Sequence, residues 1–470
     1  MSDISGGGPA YGFYGDDFTG ATDTLAHLAR AGLRTILLFV PPDAARLSML
    51  GRLDAIGIAG AARTMPPHEQ QPELARVGAA FATLGVRVIH YKVCSTFDSA
   101  PQSGSIGVAI RTLKEYCASP LVAVVGGQPN LRRYCVFGEL FAAAGADDHR
   151  QSIYRIDRHP TMSRHPVTPM NEADLRVHLR RQGLENVQSI DWRCYARGDT
   201  ALQTELDDRL KSKPDAVLFD VLDESHLQMI GGLITCHASA QAPLLAVGAS
   251  SVAQAYVCAL NEAAEQGERS AAPTPLARAC GPVFVLAGSL SPLTEMQIAA
   301  AHSYLRVELD PLQMTGDAAP DYVAARVAAI VGPLRDGRSV LAFTTRRAAL
   351  AADDTRSALP QLPHACAVLL QAVLGKVKLQ RVGIAGGDTS SIAVRALDAW
   401  GLSYLAPLSA GVTVCRLHAD RSELDGMEIM LKGGQMGDAD LFEQLLNGYS
   451  GGFNRSAQHP TFPPVSRQGS

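Results

Sequence analysis

Short apolar runs alternate with amphipathic stretches along most of this chain. In the first half the apolar runs are TILLFV, LDAIGIAG, VRVIHYKV, LVAVVGG, AVLFDVL and LLAVGAS, and in the second half they are VFVLAGS, SVLAFTT and VGIAGGD. Uninterrupted apolar runs separated by helical stretches are typical of parallel strands that helices cover on both faces. The pattern therefore predicts an α/β fold with two domains, each a mostly parallel sheet flanked by helices.

The alternation breaks near the middle of the chain, in EQGERSAAPTPLARACGP, where charged residues, alanine and proline replace the periodic pattern. We interpret residues 266–282 as a linker between a first domain at 11–265 and a second domain at 283–448. The two ends of the chain, 1–10 and 449–470, lack an apolar pattern, and the second is rich in Gly, Ser and Pro. Both ends are predicted to be disordered.

Composition narrows the class of protein. The chain has 470 residues, of which 47% are hydrophobic and 19% charged, and its net charge of −4 gives no overall basic face for nucleic acid. Nine cysteines without a CxxC pair argue against a complete disulfide framework. The amino terminus does not look like a signal peptide, and no apolar run reaches the ~18 residues of a membrane helix. We expect a soluble, cytoplasmic protein without nucleic-acid or membrane partners, with a homodimer as one open option.

Two adjacent carboxylates, Asp16 and Asp17, end the first strand-like run in YGFYGDDFTGATD, and an amphipathic helix follows at once. Side chains at the carboxyl end of a strand, beside a helix amino terminus, face the crevice where open α/β sheets bind ligands. The alternative is that Asp17 or Thr19 only caps the helix, which is worth about 1 kcal/mol. One cap leaves the second carboxylate and Gly20 unexplained, so we favour a functional pair.

Two cationic side chains follow neighbouring strands of the first domain. Lys92 closes the run VIHYK and precedes the polar stretch CSTFDS, and Arg63 comes just after LDAIGIAG. Either can meet a carboxylate or phosphate, although an exposed lysine beside a polar loop is an equally good interpretation of Lys92. Cys94 is better explained as a small buried residue than as a nucleophile.

Glycine- and serine-rich turns end three strand-like runs of the second domain, in LAGSLSP, IAGGDTSS and LKGGQMGD. Such turns let backbone N–H groups point at a phosphate beside the positive end of a helix dipole. Neither a GxxxxGK[ST] loop nor a GxGxxG fingerprint is present, so each turn alone is weak evidence. Asp388, in the second turn, could hold Mg²⁺ directly or through water, or could simply cap its helix.

Six motifs occur together and in order: GDDFTGATD, YKVCSTFD, HPVTPM, AGSLSPLTEMQ, AGGDTSS and LKGGQMGD. In this order the chain resembles the four-carbon acid sugar kinases, from about Tyr11 to Leu446. The resemblance implies two α/β domains, of which the first binds a small sugar acid and the second binds ATP. It also implies transfer of a phosphoryl group to the terminal hydroxyl of an acid such as D-threonate, D-erythronate or 3-oxo-tetronate.

The resemblance implies site residues in both domains. It assigns catalysis and the substrate hydroxyls to Asp17 and Asp16, and the rest of the substrate pocket to Arg63, Lys92, Cys94 and Ser95. It assigns ATP to Ser289, Ser291, Gly386, Gly387, Asp388, Thr389 and Gly434. The expected cofactors are ATP and Mg²⁺, with Asp388 as a possible metal ligand.

Some motifs depart from the family pattern. Where many threonate and erythronate kinases have a DSTLRG-like stretch, this chain has CSTFDSAPQSG, and LKGGQMG stands where LKSGNFG is usual. The STFD and HPVTPM motifs are more similar to the branch that acts on 3-oxo-tetronate, and a branched analogue such as 3-oxo-isoapionate is the alternative substrate.

We therefore predict an ATP-dependent sugar-acid kinase. Two hypotheses from other classes remain: a cytoplasmic sugar-acid dehydrogenase or aldolase, and a non-catalytic sugar-acid sensor. The absence of GxGxxG weighs against the dehydrogenase. Neither hypothesis explains the six ordered motifs.

Overall fold

The computed structural model describes residues 8–144, 152–165, 168–263, 274–316, 318–344 and 361–449. Most of the predicted disordered ends, part of the predicted linker and the centre of HPVTPM lie outside these described residues. The remainder of the predicted linker, from residue 274, includes Leu276, whose carbonyl accepts a hydrogen bond of 2.9 Å from the backbone N–H of Tyr449.

The first lobe is built around eight parallel strands with helices between them. Their order across the sheet is β10-β11-β5-β12-β4-β1-β3-β2. The strands are β1 (Tyr11–Gly15), β2 (Thr35–Leu38), β3 (Ala55–Ala59), β4 (Val88–Lys92), β5 (Val122–Val125), β10 (Val187–Ile190), β11 (Ala216–Phe219) and β12 (Leu244–Gly248). The helices are α1 (Phe18–Arg30), α2 (Ala44–Leu50), α3 (Pro67–Leu84), α4 (Ile106–Lys114), α5 (Leu175–Arg180), α6 (Asp199–Leu210), α7 (Glu224–His237) and α8 (Ser251–Ala263).

The second lobe has five parallel strands in the order β19-β16-β13-β15-β14 and an antiparallel pair, β17 and β18, at one side. The strands are β13 (Val283–Ala287), β14 (Leu305–Leu309), β15 (Val340–Thr344), β16 (Arg381–Ala385), β17 (Gly401–Ser409), β18 (Val412–His418) and β19 (Glu428–Lys432). The helices are α9 (Pro292–Ala300), α10 (Pro311–Thr315), α11 (Ala319–Arg335), α12 (Leu362–Leu374), α13 (Gly387–Arg395) and α14 (Leu441–Asn447).

The predicted fold class is confirmed, and every apolar run named above contains a strand. The strands β1, β5, β12, β13 and β16 are buried along their whole length, because helices cover both faces of the sheet. Helix α1 turns its apolar side to this core through Leu25 and Leu28, both fully buried. It ends before Gly32, whose φ of +85° suits a residue without a Cβ.

The two lobes share one continuous sheet, which the sequence did not predict. Strand β2 of the first lobe pairs antiparallel with β17 of the second, where Leu38 lies opposite Gly401 and Leu37 opposite Leu402. Strand β18 then pairs antiparallel with β17 on one side and with β19 on the other. Outside this junction the guanidinium of Arg46 lies 4.3 Å from the ring centre of Trp400.

A second sheet of four short antiparallel strands was also not predicted. It consists of β6 (Gly127–Gln128), β7 (Arg133–Val136), β8 (Glu139–Ala144) and β9 (Ser152–Arg155). It follows directly on β5, and Cys135 of β7 bridges to Val221 just beyond β11. The small sheet therefore covers the carboxyl ends of β5 and β11, at the same edge of the large sheet as Asp16 and Asp17.

Within the described ranges, no helix is long and apolar enough to span a bilayer.

Candidate active site

Asp16 and Asp17 directly follow the carboxyl end of β1, a strand that has a neighbour on each side. Strand β1 pairs with β3 on one side and with β4 on the other. A crevice forms at the carboxyl ends of such strands, and open α/β sheets bind ligands there. Lys92 ends β4, and Arg63 lies in the short 3₁₀ helix Ala62–Thr64 after β3. Neighbouring strand ends thus bring two acids and two bases together.

The four side chains form one compact ion cluster. Arg63 donates to both oxygens of Asp16, from Nη2 at 2.7 Å and from Nε at 3.1 Å, and its Nη1 lies 3.1 Å from Oδ2 of Asp17. Lys92 Nζ donates to Oδ1 of Asp17 at 3.3 Å and lies 4.0 Å from Asp16. Asp16 and Lys92 are each 4% exposed. The formal charges of the cluster cancel, which makes burial of all four groups tolerable.

Asp17 also caps α1, so the capping interpretation of the sequence is correct but incomplete. Its Oδ1 accepts the backbone N–H of Gly20 at 3.0 Å, and its Oδ2 accepts the hydroxyl of Thr19 at 2.6 Å. A Cβ on Gly20 would lie 1.5 Å from Lys92 Nζ and 2.6 Å from Oδ1 of Asp17. The glycine at this position therefore allows the lysine to reach the carboxylate.

The two carboxylates have different acidities. Burial raises the pKa of Asp16 above its ordinary value, although the charges of Arg63 and Lys92 oppose this rise. Burial acts in the same direction on Asp17, but the two cations and the hydrogen bonds from the first turn of α1 outweigh it and hold the pKa of Asp17 well below its usual range. Asp17 is therefore ionised at neutral pH and suited to accept a hydrogen bond.

The predicted pocket residues after Lys92 lie in a tight turn. The backbone N–H of Phe97 donates to the carbonyl of Cys94 at 3.0 Å, and Cys94 Sγ lies 2.9 Å from the hydroxyl of Thr96. Burial raises the pKa of Cys94 to about 11, so this residue is a thiol at neutral pH. Cys94 and Ser95 are half-buried. This turn can contact a ligand, and it offers no thiolate nucleophile.

Arg133, at the start of β7, is a cation that the sequence analysis missed. Its Nη1 donates to the carbonyl of Leu131, and its buried Nε has no hydrogen-bond partner in the described part of the chain. Burial lowers the pKa of Arg133. The neighbouring thiol of Cys94 and hydroxyl of Tyr134 act in the opposite direction and raise this pKa. No described carboxylate forms an ion pair with it. The segment NLRRY gave no sequence signal beyond its charge.

The three predicted turns of the second lobe converge. Backbone N–H groups of Gly288 and Ser289 donate to the carbonyl of Ala385, and the N–H of Gly386 donates to the carbonyl of Lys432. The turns after β13, β16 and β19 are therefore neighbours at the carboxyl ends of these strands.

The convergence leaves little room for side chains where the turns meet. A Cβ on Gly434 would lie 2.7 Å from the hydroxyl oxygen of Ser289, and a Cβ on Gly288 would lie 2.4 Å from that of Thr389. Gly386 has a φ of +127°, which only glycine adopts readily. Ser291 caps α9 by accepting the N–H of Thr294 at 3.1 Å.

Helix α13 begins at Gly387 without any side-chain cap. Its first N–H groups are therefore available to an anion, and the helix dipole favours one there. A Cβ on Gly387 would meet nothing within 4 Å, so the space in front of this helix end is open. Asp388 is exposed in the first turn. Among the described residues no cluster of three His, Cys, Asp or Glu side chains could hold a metal ion.

Lys432 was also missed, although it closes the apolar run EIML as Lys92 closes VIHY. It is fully buried, and its Nζ donates to the hydroxyl of Thr294 at 2.9 Å and to Oε1 of Gln297 at 2.5 Å. A lysine that closes an apolar run was thus a usable signal at both positions.

The two sets of residues come close across the boundary between the lobes. Thr19, which donates to Asp17, lies 4.0 Å from the position of a Cβ on Gly433. The guanidinium of Arg395, at the end of α13, lies 5.4 Å from the ring centre of Phe18. The acidic pair and the glycine turn after β19 therefore lie close together at this boundary.

A separate cavity of about 560 Å³ lies at the opposite edge of the second lobe, lined by Arg278, Cys280, His302 and Arg338 among others. It sits at the amino ends of β13, β14 and β15. Since ligands in open α/β sheets bind at the carboxyl ends of the strands, we do not connect this cavity with the site.

Comparison with known proteins agrees with this division into two lobes. Residues 11–256 match a family model described as a sugar-binding N-terminal domain, and residues 284–442 match one described as a nucleotide-binding C-terminal domain. The fold and the site therefore define a two-lobed protein with a sugar-binding and a nucleotide-binding domain. The chain belongs to the four-carbon acid sugar kinase family.

Relatives and solved structures match nearly the whole chain. A 3-oxo-isoapionate kinase of Paraburkholderia graminis is 36% identical, with 93% of this chain and 94% of the relative covered. A 3-oxo-tetronate kinase of Methylobacterium radiotolerans is 30% identical, with 93% and 99% covered. A structure from Salmonella typhimurium LT2 has a TM-score of 0.74 at 22% identity, covering 92% of this chain and 98% of that one. This structural likeness supports the fold.

Proposed function

We propose that the protein is an ATP-dependent kinase that phosphorylates the terminal hydroxyl of a small sugar acid. One observation carries this proposal: the buried pair Asp16 and Asp17 lies beside the glycine turn after β19 in the nucleotide-binding lobe, with Thr19 4.0 Å from a Cβ position on Gly433. A kinase needs its acceptor hydroxyl and its phosphoryl donor at such a boundary. The family membership supports the same conclusion.

Asp17 has the role of orienting the acceptor hydroxyl. Phosphoryl transfer passes through a loose transition state, so positioning and charge neutralisation matter more than strong base catalysis. The pKa of Asp17 lies below its usual range, which fits an acceptor of a hydrogen bond better than a strong base. Asp16, whose pKa is raised by burial, is the better proton acceptor and is held by Arg63.

The substrate carboxylate needs a cation that is not already neutralised. Arg63 and Lys92 are both engaged with the aspartates, although Lys92 retains donors beyond the one it gives to Asp17. Arg133 has no ion-pair partner among the described residues and lies near Cys94. We therefore place the carboxylate between Arg133 and the Arg63–Lys92 pair, because a planar guanidinium can bind it through two hydrogen bonds.

The nucleotide phosphates would lie at the open end of α13 and along the serine and glycine turns, against Ser289, Ser291, Gly386, Gly387, Thr389 and Gly434. The uncapped N–H groups and the free space at Gly387 fit this role. Mg²⁺, when bound with the nucleotide, supplies charge neutralisation. Asp388 is the carboxylate that would hold it, and one carboxylate plus phosphate oxygens and water is a usual set for this ion.

The branched acid 3-oxo-isoapionate is the first substrate to try. The relative with that activity in its name is 36% identical to this chain, whereas the one from Methylobacterium radiotolerans, named for 3-oxo-tetronate, is 30% identical. The stretch CSTFDSAPQSG lacks the arginine of the DSTLRG-like motif, which argues against plain threonate. 3-Oxo-tetronate is the second candidate.

Release of ADP, measured with a coupled assay over a panel of sugar acids, tests the function. The panel contains 3-oxo-isoapionate, 3-oxo-tetronate, threonate and erythronate. We expect ADP release that depends on one of the oxo acids. Binding of an acid without ADP release would instead support a sensor, and NAD⁺ reduction with the same acid would support a dehydrogenase.

The variant Asp17→Asn tests the assigned site. Asparagine is as good a helix cap as aspartate, so the fold should persist while the charge is lost. We expect turnover to fall by about two orders of magnitude or more while nucleotide binding persists. Asp43→Asn is the matched control, because Asp43 caps α2 in the same way on an exposed surface. Wild-type turnover in Asp17→Asn would end the assignment.

A further inference from the structure

Lys432 is a buried cation without a counter-ion in the described structure. Its side chain is fully buried, and the ammonium contacts only neutral oxygens, on Thr294 and Gln297 of α9. Burying an ammonium group without a carboxylate is costly, and proteins usually pair such a group. Lys432 ends β19 and directly precedes the glycine loop, residues 433–438, so the unpaired ammonium lies next to one of the turns assigned to the nucleotide.

The two partners of Lys432 in turn hold the glycine loop. Gln297 Nε2 lies within hydrogen-bond distance of the carbonyls of Met436, Gly437 and Asp438, at 3.1, 3.2 and 2.8 Å. The Thr294 hydroxyl lies 3.1 Å from the carbonyl of Gly434. These carbonyls are thus directed at α9, and within the loop the amide of Met436 donates to the carbonyl of Gly433 at 3.3 Å.

Among the described residues of the surrounding elements, no charged side chain pairs with Lys432. Burial lowers the pKa of Lys432 to about 7, and no other group contributes. On α9 and α13 the acidic residues Glu295 and Asp388 are exposed. Asp438 accepts the hydroxyl of Ser409 at 3.0 Å, and Glu428, at the far end of β19, pairs with Arg381. None of these four carboxylates pairs with the Lys432 ammonium, which contacts only Thr294 and Gln297.

We propose that Lys432 is a positioning residue for nucleotide binding, whose charged ammonium holds the α9 side chains that shape the glycine loop and is itself kept charged by the nucleotide phosphates. The inference rests on the proposed function, which supplies the nucleotide. Its consequence is proton uptake: above neutral pH the free protein has a neutral amine at Lys432, and binding of the polyanion draws one proton from solvent onto Nζ. Below neutral pH the amine is already charged, and no proton is taken up there.

Isothermal titration calorimetry measures this uptake directly. The magnesium complex of adenosine 5′-(β,γ-imido)triphosphate is titrated into the protein in two buffers of different ionisation enthalpy, at pH 8 and at pH 6. We expect wild type to take up close to one more proton per nucleotide than Lys432→Met at pH 8, and an equal number at pH 6. Subtracting the proton uptake of the variant from that of wild type removes the contribution from protonation of the nucleotide itself. Lys378→Met, the same change at an exposed lysine of this lobe, should match wild type.

Equal proton uptake by wild type and Lys432→Met at pH 8 would overturn the inference and leave the proposed function intact. If Lys432→Met does not fold, the pH dependence of the dissociation constant of the nucleotide from wild type tests the inference instead. We expect the affinity for the nucleotide to fall about tenfold per pH unit between pH 8 and pH 9, because binding of each nucleotide then requires the uptake of one proton. A flat profile over this range would overturn the inference. Failure of wild type to bind the nucleotide would overturn both proposals, so the two failures are distinguishable.

Discussion

Position 20, in the first turn of α1, shows the site at the scale of one residue. The backbone N–H of Gly20 binds Asp17, and the space that a side chain would fill is taken by the end of Lys92. A buried lysine reaches its partner only if nothing stands between them. The glycine is therefore part of the ion cluster, although it has no charge of its own.

The variant Gly20→Ala should lower both activity and stability. The new Cβ would fall 1.5 Å from Lys92 Nζ, so we expect the ammonium to leave Asp17 and kcat/KM to fall at least tenfold. Thermal stability should also fall, because a buried ion pair is broken and the helix preference of alanine, about 0.5–1 kcal/mol, offsets only part of that loss. Steady-state kinetics and thermal unfolding measure the two effects. Gly232→Ala in α7, where a Cβ meets nothing within 4 Å, is the control and should keep full activity.

Helices α9 and α13 show what the elements contribute, since both begin at the carboxyl end of a strand in the second lobe. Ser291 caps α9, whereas α13 has no side-chain cap. An uncapped amino terminus beside glycine turns leaves its N–H groups for a ligand. The difference between the two helix starts suggests where the phosphates lie.

The variant Gly387→Val tests this assignment. Its side chain enters open space, so the protein should fold, while the added bulk occupies the volume in front of α13. We expect the Michaelis constant for ATP to rise by at least about tenfold, with a smaller effect on the constant for the sugar acid. Gly232→Val adds the same bulk to a helix in an open position and serves as the control. An unchanged Michaelis constant for ATP in Gly387→Val would contradict the phosphate site.

For the whole molecule, the junction between β2 and β17 decides how the lobes face each other. Gly401 lies there against the backbone of Leu37, where a Cβ would be 2.9 Å from the carbonyl oxygen. Because strand pairing is directional, this junction fixes the relation of the two parallel sets. We predict that the lobes close around the substrates and so exclude water, which would otherwise compete as phosphoryl acceptor.

The variant Gly401→Val should weaken this junction. The Cβ cannot approach the Leu37 carbonyl so closely. We therefore expect the free energy of unfolding to fall by about 1–3 kcal/mol and the two lobes to unfold less cooperatively. Differential scanning calorimetry should show a broadened or divided transition, and turnover should fall with nucleotide affinity retained. Gly281→Val makes the same change where a Cβ meets nothing within 4 Å. A single, unshifted transition in Gly401→Val would show that the junction does not couple the lobes.

Sequence reasoning found most elements of the fold because each depends on a local pattern. Apolar runs between helical stretches identified the parallel strands, and the position of Asp16 and Asp17 after β1 placed them at a ligand-binding edge. The antiparallel strands β6 to β9 and the pair β17 and β18 were missed. Their pairing depends on partners elsewhere in the chain, and β7 and β9 of the small sheet are partly exposed and carry no continuous apolar run.

The sequence by itself determined the order of strands and helices, the acidic pair at a strand end and the glycine turns, because local periodicity and turn chemistry encode them. Only the tertiary structure decided that Arg63 and Lys92 neutralise the acidic pair and that Lys432 has no counter-ion among the residues that the structure describes. The sequence does not distinguish a charged side chain that is ion-paired from one that is solvated or buried without a partner. Which of these applies depends on distances across the fold, since Coulomb energy and desolvation are set by neighbours in space.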